Sequence, residues 1–305
     1  MPPRVAIITD LDNTIYNWVD SFAPSFRGMI HALADYYKLV TEDELLNKFR
    51  ELFQTHQSLE YQVQASELPF FKNVSADEVK RINSIMFGAF KNVAKGSGPG
   101  GLRLYEGGME FFTWAYSQGI TLVAITNAPL KIAKQRLISL GVSRFYTAIA
   151  APEYTDSKKT VESNNTLGRQ EQLLKVDMPD YVTSDKNFDL IYKLQPDELK
   201  PSMTGYEKVF RDLHKKWDIV FVIGDSLQKD LAPAKRLGAK TIWARYGTKI
   251  EKRNLETLLK ITPWSATQVA HAYGTDFSPD FIADSLADVR GIVESNIHTT
   301  NTMCH

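Results

Sequence analysis

Val5-Ala6-Ile7-Ile8-Thr9-Asp10-Leu11-Asp12-Asn13-Thr14 is the stretch on which the reading of this chain turns. Its first four residues are apolar without interruption and rich in β-branched side chains. Such a run suits a strand buried on both faces, as in a parallel sheet. It then passes directly into polar residues. The same signature returns at residues 120–125, followed by Thr126-Asn127, and at 219–223, followed by Gly224-Asp225. Weaker copies occupy residues 241–244 and 146–150. Residues 130–140 and 227–237 have helical spacing and are closed by Gly141 and Gly238. Glycine takes the left-handed backbone past a helix end most readily, so both positions read as helix stops. Strands alternating with helices predict an α/β fold, a Rossmann-like doubly wound parallel sheet.

Working outward, two stretches break this rhythm. Residues 16–102 carry helical periodicity, as in Phe22-Phe26-Ile30-Leu33-Tyr37 and Val79-Ile82-Ile85-Met86-Phe90, and close on the Gly/Ser/Pro linker of residues 96–101. They are expected to form a helical domain inserted into a core made of residues 1–15 and 103–294. Residues 153–195 are polar and without clear period, an extra insertion in that core, longer than ordinary connections. Residues 295–305 are polar and read as a disordered tail. At 305 residues the chain is long enough for two such domains.

Composition narrows the function classes. Lys+Arg and Asp+Glu are both 36, so the formal charge is zero, which speaks against a nucleic-acid partner. No run approaches the roughly 20 apolar residues that span a bilayer, and residues 1–10 lack the apolar length of a signal peptide. The single cysteine, Cys304, cannot form a disulfide within the chain. The expected location is the cytoplasm.

In open α/β sheets, ligands bind outside the carboxyl ends of the strands. Asp10, Thr126 and Asp225 each follow a strand, so they should converge although far apart in sequence. Singly, each has an ordinary explanation. Asp10 and Asp12 suit a solvated turn, Asp225 and Asp230 a helix start, Thr126-Asn127 a cap, and Lys200 a surface charge. Together, the acids would repel one another unless a cation neutralised them, and an oxygen-rich acidic site suits Mg²⁺. Lys200 could compensate the acids and hold a phosphate oxygen, with Thr126 and Asn127 as further donors.

The order of these residues resembles the four motifs of the haloacid-dehalogenase-like (HAD) hydrolase superfamily. Asp10-Leu11-Asp12-Asn13-Thr14 is similar to its DxDxT motif and Ile125-Thr126-Asn127 to its second. Lys200-Pro201 resembles the third, and Gly224-Asp225 through Asp230 the fourth, GDxxxxD. The resemblance implies a phosphatase of small phosphomonoesters, of nucleotide, sugar phosphate or phosphoglycolate type, with the helical insert as a cap over the site. It implies Asp10 as nucleophile, forming an aspartyl-phosphate, and Asp12 as general acid and base. Mg²⁺ would be held by Asp10, the Asp12 carbonyl and Asp225, with Asp230 binding it through water or orienting Lys200, and the phosphoryl oxygens by Thr126, Asn127 and Lys200. Asp12 is the residue that the carbon-attacking dehalogenases of the family lack. Such a dehalogenase, and a non-catalytic binding or regulatory protein on the same fold, are the alternatives. Trp18, Phe22, Phe26, Phe70 and Phe71 suit either a substrate pocket or the cap's own core. Asn17 and Arg27 lie near the hinge, where they could meet substrate.

Overall fold

The computed structural model describes residues 3–56, 59, 62–95, 101–153, 188, 190–213, 217–262 and 277–302. Seven strands form one sheet: β1 (Val5–Thr9), β2 (Thr121–Ile125), β3 (Tyr146–Pro152), β4 (Leu190–Leu194), β5 (Ile219–Gly224), β6 (Lys240–Ala244) and β7 (Phe281–Ala283). Their order is β4-β3-β2-β1-β5-β6-β7 and every pairing is parallel. β1 lies at the centre, with Ala6 opposite Thr121 of β2 and Val220 of β5.

Among the described residues the α-helices are α1 (Trp18–Tyr36), α2 (Glu42–His56), α3 (Ala76–Lys95), α4 (Gly108–Ser117), α5 (Leu130–Ser139), α6 (Met203–Leu213), α7 (Ala232–Arg236), α8 (Lys252–Ile261) and α9 (Leu286–Thr302). Successive strand residues point to opposite faces. Val5 and Ile7 of β1, with Ile219, Phe221 and Ile223 of β5, join one hydrophobic cluster with Phe111, Leu137 and Val289. Ala6 and Ile8, with Val220 and Val222, join a second with Tyr206, Val209 and Ala234. Both faces are thus covered, which is why these strands read as uninterrupted apolar runs.

In chain order helices α1, α2 and α3 lie between β1 and α4 as a helical unit, and α1 and α2 pack against α8. The crossings into and out of it run side by side. Asn17 N–H donates to the Arg103 carbonyl (3.2 Å), Tyr105 N–H to Ile15 (3.0 Å), and Arg103 N–H to Asn17 Oδ1 (2.8 Å). Asn17 is therefore spent on tying the hinge strands together. Trp18, Phe22 and Phe26 stack along α1 at centroid spacings of 5.1 and 5.8 Å, and Phe26 meets Phe49 edge-on at 5.2 Å. These three and Phe71 are buried in the main cluster, with Phe70 partly buried against it. Of the two readings of these aromatics, the core of the helical unit is the one their burial favours. Arg27 donates to Thr257 Oγ1 (2.8 Å) and the Arg253 carbonyl (3.3 Å) of α8, so it docks the unit on the core.

Two boundaries read from sequence need correction. The segment 153–195 ends in strand β4, which pairs with β3 at the sheet edge; residues 154–187 of it lie outside the described residues. The tail expected from residue 295 is instead the continuation of α9 to Thr302, with Asn296 Nδ2 bonded to the Ile292 carbonyl (2.9 Å). The span 227–237 is helical as expected, with a π-helical turn at Leu227–Leu231 that runs directly into α7. Residues 96–100 of the linker also lie outside the described residues.

Candidate active site

The site is assembled where the central strands stop. Asp10 leaves β1 with its N–H still bonded to the Ile223 carbonyl of β5 (2.9 Å). Asn13 takes a left-handed φ of 58°, which turns the loop back so that its N–H reaches the Tyr16 carbonyl (2.9 Å). Asparagine tolerates this conformation better than most residues. The turn is clamped by the short helical turn Arg245–Thr248 that follows β6. Gly247 lies so close that a Cβ there would stand 1.7 Å from the Asn13 carbonyl oxygen. Tyr246 donates its hydroxyl to the Thr14 carbonyl (2.7 Å).

Thr14 links the two acidic loops. Its hydroxyl donates to Asp10 Oδ2 (2.9 Å) and accepts from the Asp225 N–H (3.0 Å). Lys200 arrives from the segment before α6 with its ammonium buried. Nζ donates to Asp10 Oδ1 and to Asp230 Oδ1, the latter at 2.6 Å. The second Asp230 oxygen accepts the Ser226 N–H (3.0 Å), and Gly224 leaves room for that side chain, since a Cβ there would meet the Asp230 Cβ at 2.3 Å. Carboxylate oxygens of Asp10, Asp225 and Asp230 lie within 4.8 Å of one another.

Electrostatics follow from this geometry. Burial alone would lower the Lys200 pKa, but the carboxylates of Asp10 and Asp230 outweigh it and hold it well above the usual lysine range. Burial, then the charges of Asp10 and Asp230, push Asp225 well above the usual carboxyl range. Burial raises Asp230 to about 6 despite the opposing pull of Lys200. With all three carboxylates ionised, one ammonium would leave two negative charges unmatched in a largely buried site. An all-oxygen donor set with that excess fits a hard divalent cation.

Not every residue expected here turns its side chain to this cluster. Asp12 points its carboxylate elsewhere, to Arg136 Nη1 of α5 at 3.1 Å, so any metal contact from Asp12 falls to its carbonyl. Asn127 spends its amide on the Lys200 backbone: Nδ2 donates to the Lys200 carbonyl and Oδ1 accepts the Lys200 N–H, both at 2.9 Å. Thr126 is fully buried, and its hydroxyl accepts the Ala128 N–H (3.1 Å). Sequence reasoning missed Thr14 as a bridge, Arg136 as the partner of Asp12, and Tyr206, wholly buried near Asp230 and Lys200 with its hydroxyl pKa driven up by burial and by the Asp230 charge. Thr14 alone had a signal, as the threonine of DxDxT.

Comparison with known proteins bears on this site. A family model described as HAD-hydrolase-like matches residues 199–289, a span that includes Lys200, Asp225 and Asp230. No curated protein matches the chain. Among solved structures, a Thermotoga maritima protein described as a β-phosphoglucomutase is 15% identical over 96% of this chain and 99% of its own, with a TM-score of 0.50. A 2-haloacid dehalogenase of Pseudomonas syringae pv. tomato DC3000 is 16% identical, covering 96% and 99%, at 0.48. A Haemophilus somnus protein described as a phosphoglycolate phosphatase is 16% identical, covering 94% and 97%, at 0.46. At such identities the likeness is one of fold.

Proposed function

We propose that the chain is a HAD-like hydrolase and, within that family, a Mg²⁺-dependent phosphatase of a small phosphomonoester, working through an aspartyl-phosphate on Asp10. One observation carries the reading: two carboxylates leave the same loop with different partners. Asp10 sits against Lys200 beside Asp225 and Asp230, whereas Asp12 stands apart from that cluster beside Arg136. A nucleophile and a separate proton carrier are what phosphoryl transfer in two steps requires.

Asp10 attacks phosphorus, forming one O–P bond as the bond to the leaving oxygen breaks. Asp12 gives its proton to that oxygen. It then takes a proton from the water that attacks the aspartyl-phosphate, releasing phosphate and restoring Asp10. Lys200 and the backbone N–H groups after β2 hold the phosphoryl oxygens, with Asn127 fixing Lys200 rather than touching substrate. Asp10, Asp225 and Asp230, with the Asp12 carbonyl, would hold Mg²⁺, which screens the anionic nucleophile from an anionic substrate. The helical unit serves as the cap that shuts out water. Cytoplasm is the proposed location; no helix among the described residues is long and apolar enough to cross a membrane.

The test is phosphate release from a panel of small phosphomonoesters with Mg²⁺, with EDTA, and with Asp10→Asn. Mg²⁺-dependent release that disappears in EDTA and in the variant is the expected result. Halide release from 2-haloacids in EDTA, with no phosphate release, would replace the reading with the dehalogenase one. Mg²⁺ binding without either activity would favour a non-catalytic protein.

A further inference from the structure

Arg136 belongs to none of the motifs, yet it reaches the loop on which the chemistry turns. It sits in the last turn of α5, the helix that follows β2. Nη1 stands 3.1 Å from Asp12 Oδ1, and the two side chains are 15% and 24% exposed, so the pair is shielded from most solvent. The guanidinium lies 6.0 Å over the ring of Tyr16, which is fully buried. Tyr16 is itself held in register with Asp12 on one side and Leu104 on the other. The platform under Arg136 and the carboxylate in front of it are therefore parts of one short loop. Burial and the Asp12 charge push the Tyr16 hydroxyl well above its usual pKa, so it stays neutral there.

Two cations thus divide two carboxylates. Lys200 takes Asp10, and Arg136 takes Asp12. The Arg136 pair draws the Asp12 carboxylate to the α5 side, away from Lys200 and from the acids of the cation site. An arginine suits the restraining role because its fork is planar, rigid and permanently charged, whereas lysine is a flexible point charge. Resting on the phosphatase reading above, we propose that Arg136 is a positioning residue: it holds the Asp12 carboxylate away from the Asp10–Asp225–Asp230 cluster and turned for proton transfer to the leaving oxygen.

The leaving group tests this. A nitrophenolate departs without help, whereas an alkoxide needs its proton, so only the second depends on a well-placed acid. Arg136→Met, Arg136→Lys and Asp12→Asn are compared with wild type on 4-nitrophenyl phosphate and benzyl phosphate, two esters of similar size. The readout is kcat/KM, which reports the step that expels the leaving group. In Arg136→Met, kcat/KM for benzyl phosphate should fall by about 10²-fold, the scale of general acid catalysis, and that for 4-nitrophenyl phosphate by less than about 10-fold. Asp12→Asn should show the same selectivity, adding Arg136→Met to it should change little more, and Arg136→Lys should recover part of the loss. On 4-nitrophenyl phosphate the methionine variant should also show a burst of nitrophenolate before slow turnover, since Asp12 is needed again as base.

Equal losses on both esters in a variant that unfolds like wild type would make Arg136 a general structural or substrate-binding residue and overturn the proposal. So would no loss on either ester. If Asp12→Asn is selective and Arg136→Met is not, this inference fails and the phosphatase reading stands. If wild type turns over neither ester nor any other phosphomonoester, the reading fails and takes the inference with it.

Discussion

Gly247 and Asn13 show how little freedom individual residues have at this site. A methyl group at position 247 would overlap the Asn13 carbonyl, which is backbone and cannot rotate aside. Gly247→Ala must therefore push the loop between Asp12 and Thr14. We expect a loss of about 3 kcal/mol in urea unfolding, the upper range for overpacking, together with most of the activity; a variant with wild-type turnover would show that the loop yields. Lys200→Met acts by charge instead. Removing the buried ammonium leaves Asp10 and Asp230 facing each other uncompensated, and in EDTA the variant should lose about 3–5 kcal/mol. Unchanged stability in EDTA would mean that the acids are protonated or solvated without Lys200. Much of the site at this scale was legible in the sequence, because Asp10, Thr126 and Asp225 are polar residues stationed directly past buried strands, with Asp230 in the helical turn that follows Asp225. Side-chain commitments were not. That Asn127 would be taken by the Lys200 backbone, or Arg136 by Asp12, depends on contacts 73 and 124 residues apart.

Elements repeat the pattern. The five strands read from sequence are the more apolar ones; the two missed, β4 and β7, are the sheet edges. Leu190–Leu194 is mostly exposed or half-buried and carries Lys193, and Phe281–Ala283 is three residues long. Neither can show the unbroken apolar run that burial on both faces produces. Helix α9 was hidden for a related reason: past Ser295 its side chains are polar except Ile297, and the face it packs with is marked upstream by Leu286, Val289 and Val293, all fully buried. The docking of the helical unit on α8 was invisible as well, since Arg27 and Asn254 look like surface residues until Arg27 meets Thr257 and Asn254 Nδ2 meets Asp20 Oδ1 at 2.8 Å. Those contacts carry a prediction. Arg27→Ala should loosen α1 against α8 by about 1 kcal/mol, the value of one such hydrogen bond, and hydrogen exchange at that interface should quicken roughly fivefold. Unaltered exchange would mean that apolar packing alone docks the unit.

For the molecule as a whole, the formal charge is zero, so its pH dependence comes from particular groups rather than from general repulsion. Two sets oppose each other. Asp218 and Asp284 are held below the usual carboxyl range, chiefly by hydrogen bonds from Arg4 and Arg245. Their contribution is present above the unfolded carboxyl range, about pH 4, and is lost as pH falls through their lower folded values. Asp225 and Asp230 have the opposite sign. The folded protein keeps protons that the unfolded chain has already released above about pH 4, and Asp230 gives its own up near pH 6. Metal-free protein should therefore be most stable on the acid side of neutrality and lose stability as pH rises from about 4 through about 6, the site acids ionising against one another. Mg²⁺ should reverse that slope, because a cation on the acids competes with their protons. At a hundredfold its dissociation constant it should add about 2.7 kcal/mol, and progressively less as pH falls below the Asp230 value. Urea unfolding across this window, in EDTA and in Mg²⁺, reads both effects, and Asp230→Asn should flatten the metal-free slope. Stability that rises through the window without metal would show that the three acids are not the coupled, cation-seeking group their geometry describes.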